Sequence, residues 1–199
     1  DVHNGRLLFS DHTGTGHHQI DQWDWSGSSP DYETSYGAYQ GGSGSGFRLP
    51  RGVVSYGNKL FVADAMNQEI DIWSRTVGYF EYETSSPAIG TSPEYIAADS
   101  TYVYFTCLSD DTVKVMGHSG LQILEGWGGY GTGNGNFIDP KGIVCVDFSN
   151  PDTICVVDSG NNRVQIFEEV GFQDWDYVRQ FPVAADSRGI CTAGDGYLA

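Results

Sequence analysis

A short module, written at least twice, constrains this chain more than any other feature of it. Residues 131–167, GTGNGNFIDPKGIVCVDFSNPDTICVVDSGNNRVQIF, hold a Gly-rich lead-in and the run Phe137-Ile-Asp-Pro140-Lys-Gly142-Ile143. Two β-rich runs follow, ending at Asp158 and Phe167. Earlier, GSGSGFRLPRGVV and KLFVADAMNQEIDIW put Phe47, Pro50 and Gly52 in the places of Phe137, Pro140 and Gly142. Asp64 and Trp73 likewise stand for Asp158 and Phe167. Recurrence on this scale marks units that cannot bury a face alone and must lean on their neighbours.

The template extends in both directions. Arg6-Leu-Leu-Phe-Ser-Asp11 aligns without a gap under Lys59-Leu-Phe-Val-Ala-Asp64, and Ile20-Asp-Gln-Trp23 under Ile70-Asp-Ile-Trp73. The loop between these runs is longer in the first copy by about three residues, an insertion that a surface turn tolerates. A third copy diverges: Pro93-Glu-Tyr-Ile96 opens it, and Cys107 stands where Asp is expected. The copies run approximately 1–46, 47–90, 91–136 and 137–186, with a partial copy at 187–199. Each offers about four short strands with period-2 alternation, punctuated by Gly, Asn and Pro, and no window has helical periodicity with caps. The expected fold is all-β: a β-propeller of about four four-stranded blades.

The pattern Phe-x-x-Pro-x-Gly-Ile/Val, a strand ending Val-x-Asp, then Asn-x-x-Val/Ile-x-Ile-aromatic resembles the NHL-repeat β-propeller family. The run from Asp158 to Phe167 is close to that consensus, and the first copy, Asn4 to Asp11, leans toward the related YWTD-type repeat. The resemblance covers most of the chain and is strongest in the second and fourth copies. It implies a propeller that usually closes six blades. The chain, which opens on Asp1, is therefore expected to be a piece of a longer product; the alternative is a small four-bladed ring completed by a strand near 188–194. The family spans ligand-binding modules, receptor ectodomains, RNA-binding modules, lyases and hydrolases, so the resemblance selects no function.

Charge narrows the choice. Ten Lys and Arg face 26 Asp and Glu, a net charge of −16; a surface of that sign repels phosphate backbones, so nucleic acid is not expected as a partner. It is compatible with bound cations. No apolar run approaches the length of a membrane span. Four cysteines without Cys-x-x-Cys spacing argue against a zinc site built on them. They read either as buried thiols or as including a Cys145–Cys155 bridge across a hairpin.

Asp11, Asp64 and Asp158 end second strands and are expected on the rim that carries propeller ligand sites. They either accept backbone N–H bonds of their turns or form a carboxylate ring for a divalent cation such as Ca²⁺. Arg51, Lys141 and Arg188 each precede the Gly that opens an innermost strand. They either form a cationic collar for a small anion or pair with rim aspartates; the third copy has Glu94 there. His12, His17 and His18 crowd the expanded loop, either solvated or, with Asp11, placed to hold Zn²⁺. Trp23, Trp73 and Phe167 should pack between blades. Tyr36, Tyr39, Trp127 and Tyr130 flank the Gly-rich connectors as anchors or as stacking platforms for a sugar or peptide. No Ser/His/Asp triad, phosphate-cradling loop or dinucleotide fingerprint is visible.

The expected function is a non-catalytic, extracellular binding or structural-assembly module. Its loops would face a protein or glycan partner, and open blade edges would allow self-association. The alternative is a propeller enzyme of lyase or lactonase type that uses a rim-bound divalent cation.

Overall fold

The structure is a computed structural model, and it describes residues 2–3, 6–11, 18–24, 29–37, 46–120, 122–146, 153–171 and 174–191. The described residues form a β-propeller fold of four four-stranded antiparallel blades, each a meander in strand order. Strands β1 (Val2–His3), β2 (Arg6–Asp11), β3 (Gln19–Asp24) and β4 (Asp31–Tyr36) make the first blade. The second holds β5 (Pro50–Tyr56), β6 (Lys59–Asp64), β7 (Glu69–Arg75) and β8 (Phe80–Ser85). The third holds β9 (Pro93–Ala98), β10 (Tyr102–Cys107), β11 (Thr112–Gly117) and β12 (Ile123–Gly128). The fourth holds β13 (Pro140–Val146), β14 (Thr153–Asp158), β15 (Arg163–Gly171) and β16 (Asp174–Pro182). The chain divides into two compact units, Asp1–Pro93 and Glu94–Ala199.

The two units repeat one packing solution. In the first, Tyr36 at the end of β4, Phe47 of the connector, Trp73 of β7 and Phe80 of β8 close a buried cluster. Trp73 lies 5.7 Å from Phe47 and 5.6 Å from Tyr82 between ring centroids. In the second unit the corresponding residues are Trp127, Phe137, Phe167 and Trp175. Phe137 lies 5.8 Å from Phe167, and Trp127 stacks on Trp175 at 5.3 Å. Each of these rings contributes about 1.5–3 kcal/mol by burial, and each pair a further ~0.5–1.5 kcal/mol. The expectation that Trp73 and Phe167 pack between blades holds for both; Trp23 is half-buried and meets Tyr32 edge-on.

Second strands depart from the alternation expected of them. In β10 and β14 all six residues are buried, and in β6 all but Lys59. Both faces of these strands are covered, so runs such as Thr-Ile-Cys-Val-Val-Asp are nearly continuous in apolar residues. The outermost strand β16 is exposed along most of its length.

In the second, third and fourth blades the second and third strands are joined by a four-residue turn that ends in the left-handed region, at Gln68 (φ 57°), Asp111 (φ 53°) and Asn162 (φ 53°). First strands open on Pro50 and Pro140, which have no N–H to offer, and their ladders shift register before Val53 and Ile143. At Gly142 the backbone of the 188–190 segment comes too close for any side chain. A Cβ there would lie 2.7 Å from the Arg188 carbonyl oxygen, which the Gly142 N–H itself approaches at 2.7 Å.

Residues 183–191 form no strand, although one was expected to begin near Arg188. All four cysteines are free. Cys155 pairs with Val144, and Cys145 with Ile154, so the two thiols point to opposite faces of the hairpin and cannot bridge. Cys107 and Cys155 are buried, which pushes their thiols up to about 12 and about 11. Cys191, expected inside, is exposed. No helix among the described residues is long and apolar enough to cross a membrane.

Candidate functional site

One structural position recurs in every blade: the end of the second strand, the first residue of the third strand paired with it, and the residue two further on. The ladder sets these as Asp11, Gln19 and Asp21; Asp64, Glu69 and Asp71; Cys107, Thr112 and Lys114; and Asp158, Arg163 and Gln165. In the second and fourth blades, where the second strand is covered on both faces, these side chains are buried beneath the connector that enters the blade; in the first blade Asp11, Gln19 and Asp21 are half-buried.

In the fourth blade the position is a closed polar network. Asp158, fully buried, accepts the Ile138 N–H at 2.8 Å, the Asn161 amide at 2.9 Å and the Gln165 amide at 3.0 Å. Arg163 Nε is the fourth donor, at 2.7 Å. The remaining nitrogens of Arg163 reach Gln180 Oε1 at 2.7 Å and the Gly133 and Asn136 carbonyls at 2.8 and 3.0 Å. Gln165 donates to the Asn136 carbonyl and accepts the Gly135 N–H; Asn161 also donates to the Gly131 carbonyl. The Gly-rich connector 131–136 is thus fixed by buried charge, while Tyr130 beside it is 77% exposed.

A groove of about 410 Å³ opens against this network. Thr132, Asn161, Asn162, Arg163, Gln180, Phe181 and Pro182 line it, so it offers amides, a hydroxyl, an aromatic ring and a guanidinium.

The second blade places acids in the same position. Asp64 accepts the N–H groups of Arg48 and Leu49 at 2.9 and 3.0 Å and the Asn67 amide at 2.8 Å, repeating the Asp158 pattern. Its two neighbours, however, are Glu69 and Asp71. Asp71 Oδ1 accepts the Ser85 hydroxyl at 2.5 Å; Asp71 Oδ2 and Glu69 Oε1 are buried with no hydrogen-bond donor. One oxygen from each of the three carboxylates lies within 4.8 Å of the others. Burial pushes the Asp71 carboxyl up to about 8, with the neighbouring Glu69 and Asp64 charges adding to the effect, and it raises Glu69 and Asp64 in the same direction.

The expected site residues are distributed as follows. Asp64 accepts backbone N–H groups both from the preceding connector, at Arg48 and Leu49, and from its own turn, at Asn67, whereas Asp158 takes that of Ile138 in the connector before it. Asp11 is half-buried at the end of β2. Arg51 is exposed, and its carbonyl accepts the Ser10 hydroxyl. Lys141 pairs with Asp139 at 2.8 Å, and Arg188 is exposed. Arg51 belongs to the first unit, Lys141 and Arg188 to the second. His12 and His17 lie outside the described residues, as does Tyr39; His18 is half-buried just before β3. Glu69, Asp71, Arg163 and Gln165 were not singled out from sequence. The signal that finds them is the alignment itself, with Glu-Ile-Asp set beneath Arg-Val-Gln.

No protein-family model matches the chain. No curated protein matches it either. Solved structures do. The chain of a nidogen/laminin complex matches over 96% of this chain and 66% of its own length, with TM-score 0.65 and 15% identity. A protein from Lactobacillus plantarum matches over 99% and 61%, with TM-score 0.65 and 13% identity. The computationally designed Ika8 protein matches over 100% and 55%, with TM-score 0.61 and 12% identity. At these identities the likeness is one of fold. The chain spans between 55% and 66% of the lengths of these three.

Proposed function

We propose that this chain is a non-catalytic binding module, NHL-like in its repeat, that holds an extended segment of a partner protein in the groove of the fourth blade. The observation that carries this reading is the pinned connector. Buried donors and acceptors fix the backbone of residues 131–136, while Tyr130, Thr132 and Phe181 remain exposed beside it. A partner that docks there loses little to loop ordering, which is how preorganised surfaces gain affinity. The lining favours an uncharged hydrogen-bonding chain: amides for peptide groups, the Phe181 ring for an apolar side chain. The neighbour from the nidogen/laminin complex gives a precedent for protein binding by a chain of this fold.

The test is a display library of extended peptides, run beside a panel of neutral glycans, against immobilised wild-type chain. Saturable peptide binding that falls at least about tenfold in Phe181→Ala and Thr132→Ala, both outside the buried network, supports the reading. Binding of sugars alone would redirect it to a glycan. Turnover of lactones or other small esters, with no saturable binding in either panel, would replace it with the enzyme reading.

A further inference from the structure

The second blade lacks the side-chain donors that its counterparts possess. In the fourth blade the position next to the aspartate holds a guanidinium and a carboxamide, and both donate to Asp158. In the first blade the Gln19 amide donates to Asp21 Oδ1 at 2.8 Å. In the second blade both positions are acids, and acids bring no donor. Asp64 and Asp71 have no solvent exposure and Glu69 has 7%, so water does not supply what the protein omits. Three carboxylates buried together without a counter-charge, two of them with an oxygen that no donor reaches, are costly enough that proteins pair such groups, protonate them or place a metal among them. The two orphaned oxygens, Asp71 Oδ2 and Glu69 Oε1, mark where the missing charge belongs.

We propose that Asp64, Glu69 and Asp71 bind one calcium ion, which does in the second blade what the Arg163 guanidinium does in the fourth. Three oxygens no more than 4.8 Å apart share a centre at most about 2.8 Å from each; a contraction of a few tenths of an ångström reaches Ca²⁺–oxygen distances of ~2.3–2.6 Å. The donor set is all oxygen, which suits a hard cation and not zinc or copper. Magnesium demands shorter, near-ideal octahedral contacts, whereas calcium accepts flexible geometry and carboxylates that bind through one oxygen or both. Asp64 also accepts the N–H groups of Arg48 and Leu49, so the ion would tie the connector into the second blade to the ends of β6 and β7. This site lies in the first unit and does not depend on the groove reading, which concerns the second.

The experiment uses the full chain, stripped with a chelator and dialysed to equilibrium against radioactive calcium. The expected result is about one ion per chain with Kd at or below ~10⁻⁴ M, and a Tm raised by about 3 °C or more at ~1 mM calcium. Asp71→Asn and Glu69→Gln, the second restoring the residue type of the first blade, should each weaken binding at least about tenfold. No bound calcium in the wild-type chain, measured without recourse to any variant, would overturn the assignment in favour of shared protons. An equal Tm rise in the wild type and both variants, or one that magnesium matches, would overturn it in favour of diffuse screening of an acidic surface.

Discussion

Replacing Arg163 by Met keeps the aliphatic stem and removes the charge. The guanidinium is 9% exposed and its partner Asp158 is fully buried, with 2.7 Å between Nε and Oδ2. Removing one member of a buried pair generally costs about 3–5 kcal/mol, because the other is left charged and dry. Here Asp158 keeps the Ile138 N–H and the Asn161 and Gln165 amides, and the Asn136 carbonyl keeps Gln165. That places the loss at the lower end, about 3 kcal/mol, or roughly 6–12 °C in Tm for a chain of this size. Urea unfolding followed by tryptophan fluorescence measures it, since the stacked pair Trp127 and Trp175 lies in the same unit. The reference is Arg6→Met, which breaks the Arg6–Glu33 pair, whose side chains are 29% and 27% exposed. That pair should be worth under about 1 kcal/mol and should fade with salt. If Arg163→Met costs no more than Arg6→Met, the Asp158 network is not what holds the connector, and the preorganisation argument fails with it.

Two further predictions rest on local geometry. Gly128→Ala should destabilise by about 2–4 kcal/mol in the same urea assay: its φ is 111°, and a Cβ would meet the Phe137 ring at 2.6 Å and the Asp111 carbonyl oxygen at 2.9 Å. An unchanged midpoint would mean that the Phe137 cluster yields more easily than its packing implies. The second concerns acid. The Lys59 ammonium, with the Ser74 hydroxyl assisting, holds the Glu83 carboxyl below the usual value. A depressed folded-state pKa stabilises above the unfolded value near 4.3 and loses that contribution as pH falls through the folded one. Glu83 is exposed and the effect is screened, so the difference between wild type and Lys59→Met should be at most about 1 kcal/mol at pH 7. It should fade as pH falls below about 4.3 and be gone once pH is under the lowered folded value; a difference unchanged through that range would mean Lys59 acts by packing alone.

Much of the fold was legible because the same physical need recurs at fixed spacing. Phe47 and Phe137 fill equivalent aromatic clusters, Pro50 and Pro140 open equivalent strands, and Asp64 and Asp158 hold equivalent connector amides. The site was less legible, for a reason visible in Glu69-Ile-Asp-Ile-Trp73 and Arg163-Val-Gln-Ile-Phe167. Alternation of polar and apolar residues in a strand ordinarily means one wet face and one dry face. In these blades both faces are covered, so Glu69, Asp71, Arg163 and Gln165 alternate as solvent-facing residues would and are nonetheless buried. In the sequence the basic residues before the strand-opening glycines, Arg51, Lys141 and Arg188, therefore stand out more than the position beneath the connectors does. The charge needed there is supplied by residues two strands away from those glycines.

That one position is filled in unlike ways bears on what kind of protein this is. The carboxylate and guanidinium of the fourth blade spend their hydrogen-bonding capacity on connector backbone and on one another, which leaves them poor candidates for moving a substrate's protons. In the second blade a cation held by Asp64, Glu69 and Asp71 would sit among side chains of almost no exposure. Catalytic metal sites keep a coordination position open to water or substrate, whereas structural ones close it. Burial therefore separates the two uses of a cation that the rim carboxylates left undecided. An ion held here would stiffen the connector whose N–H groups Asp64 accepts.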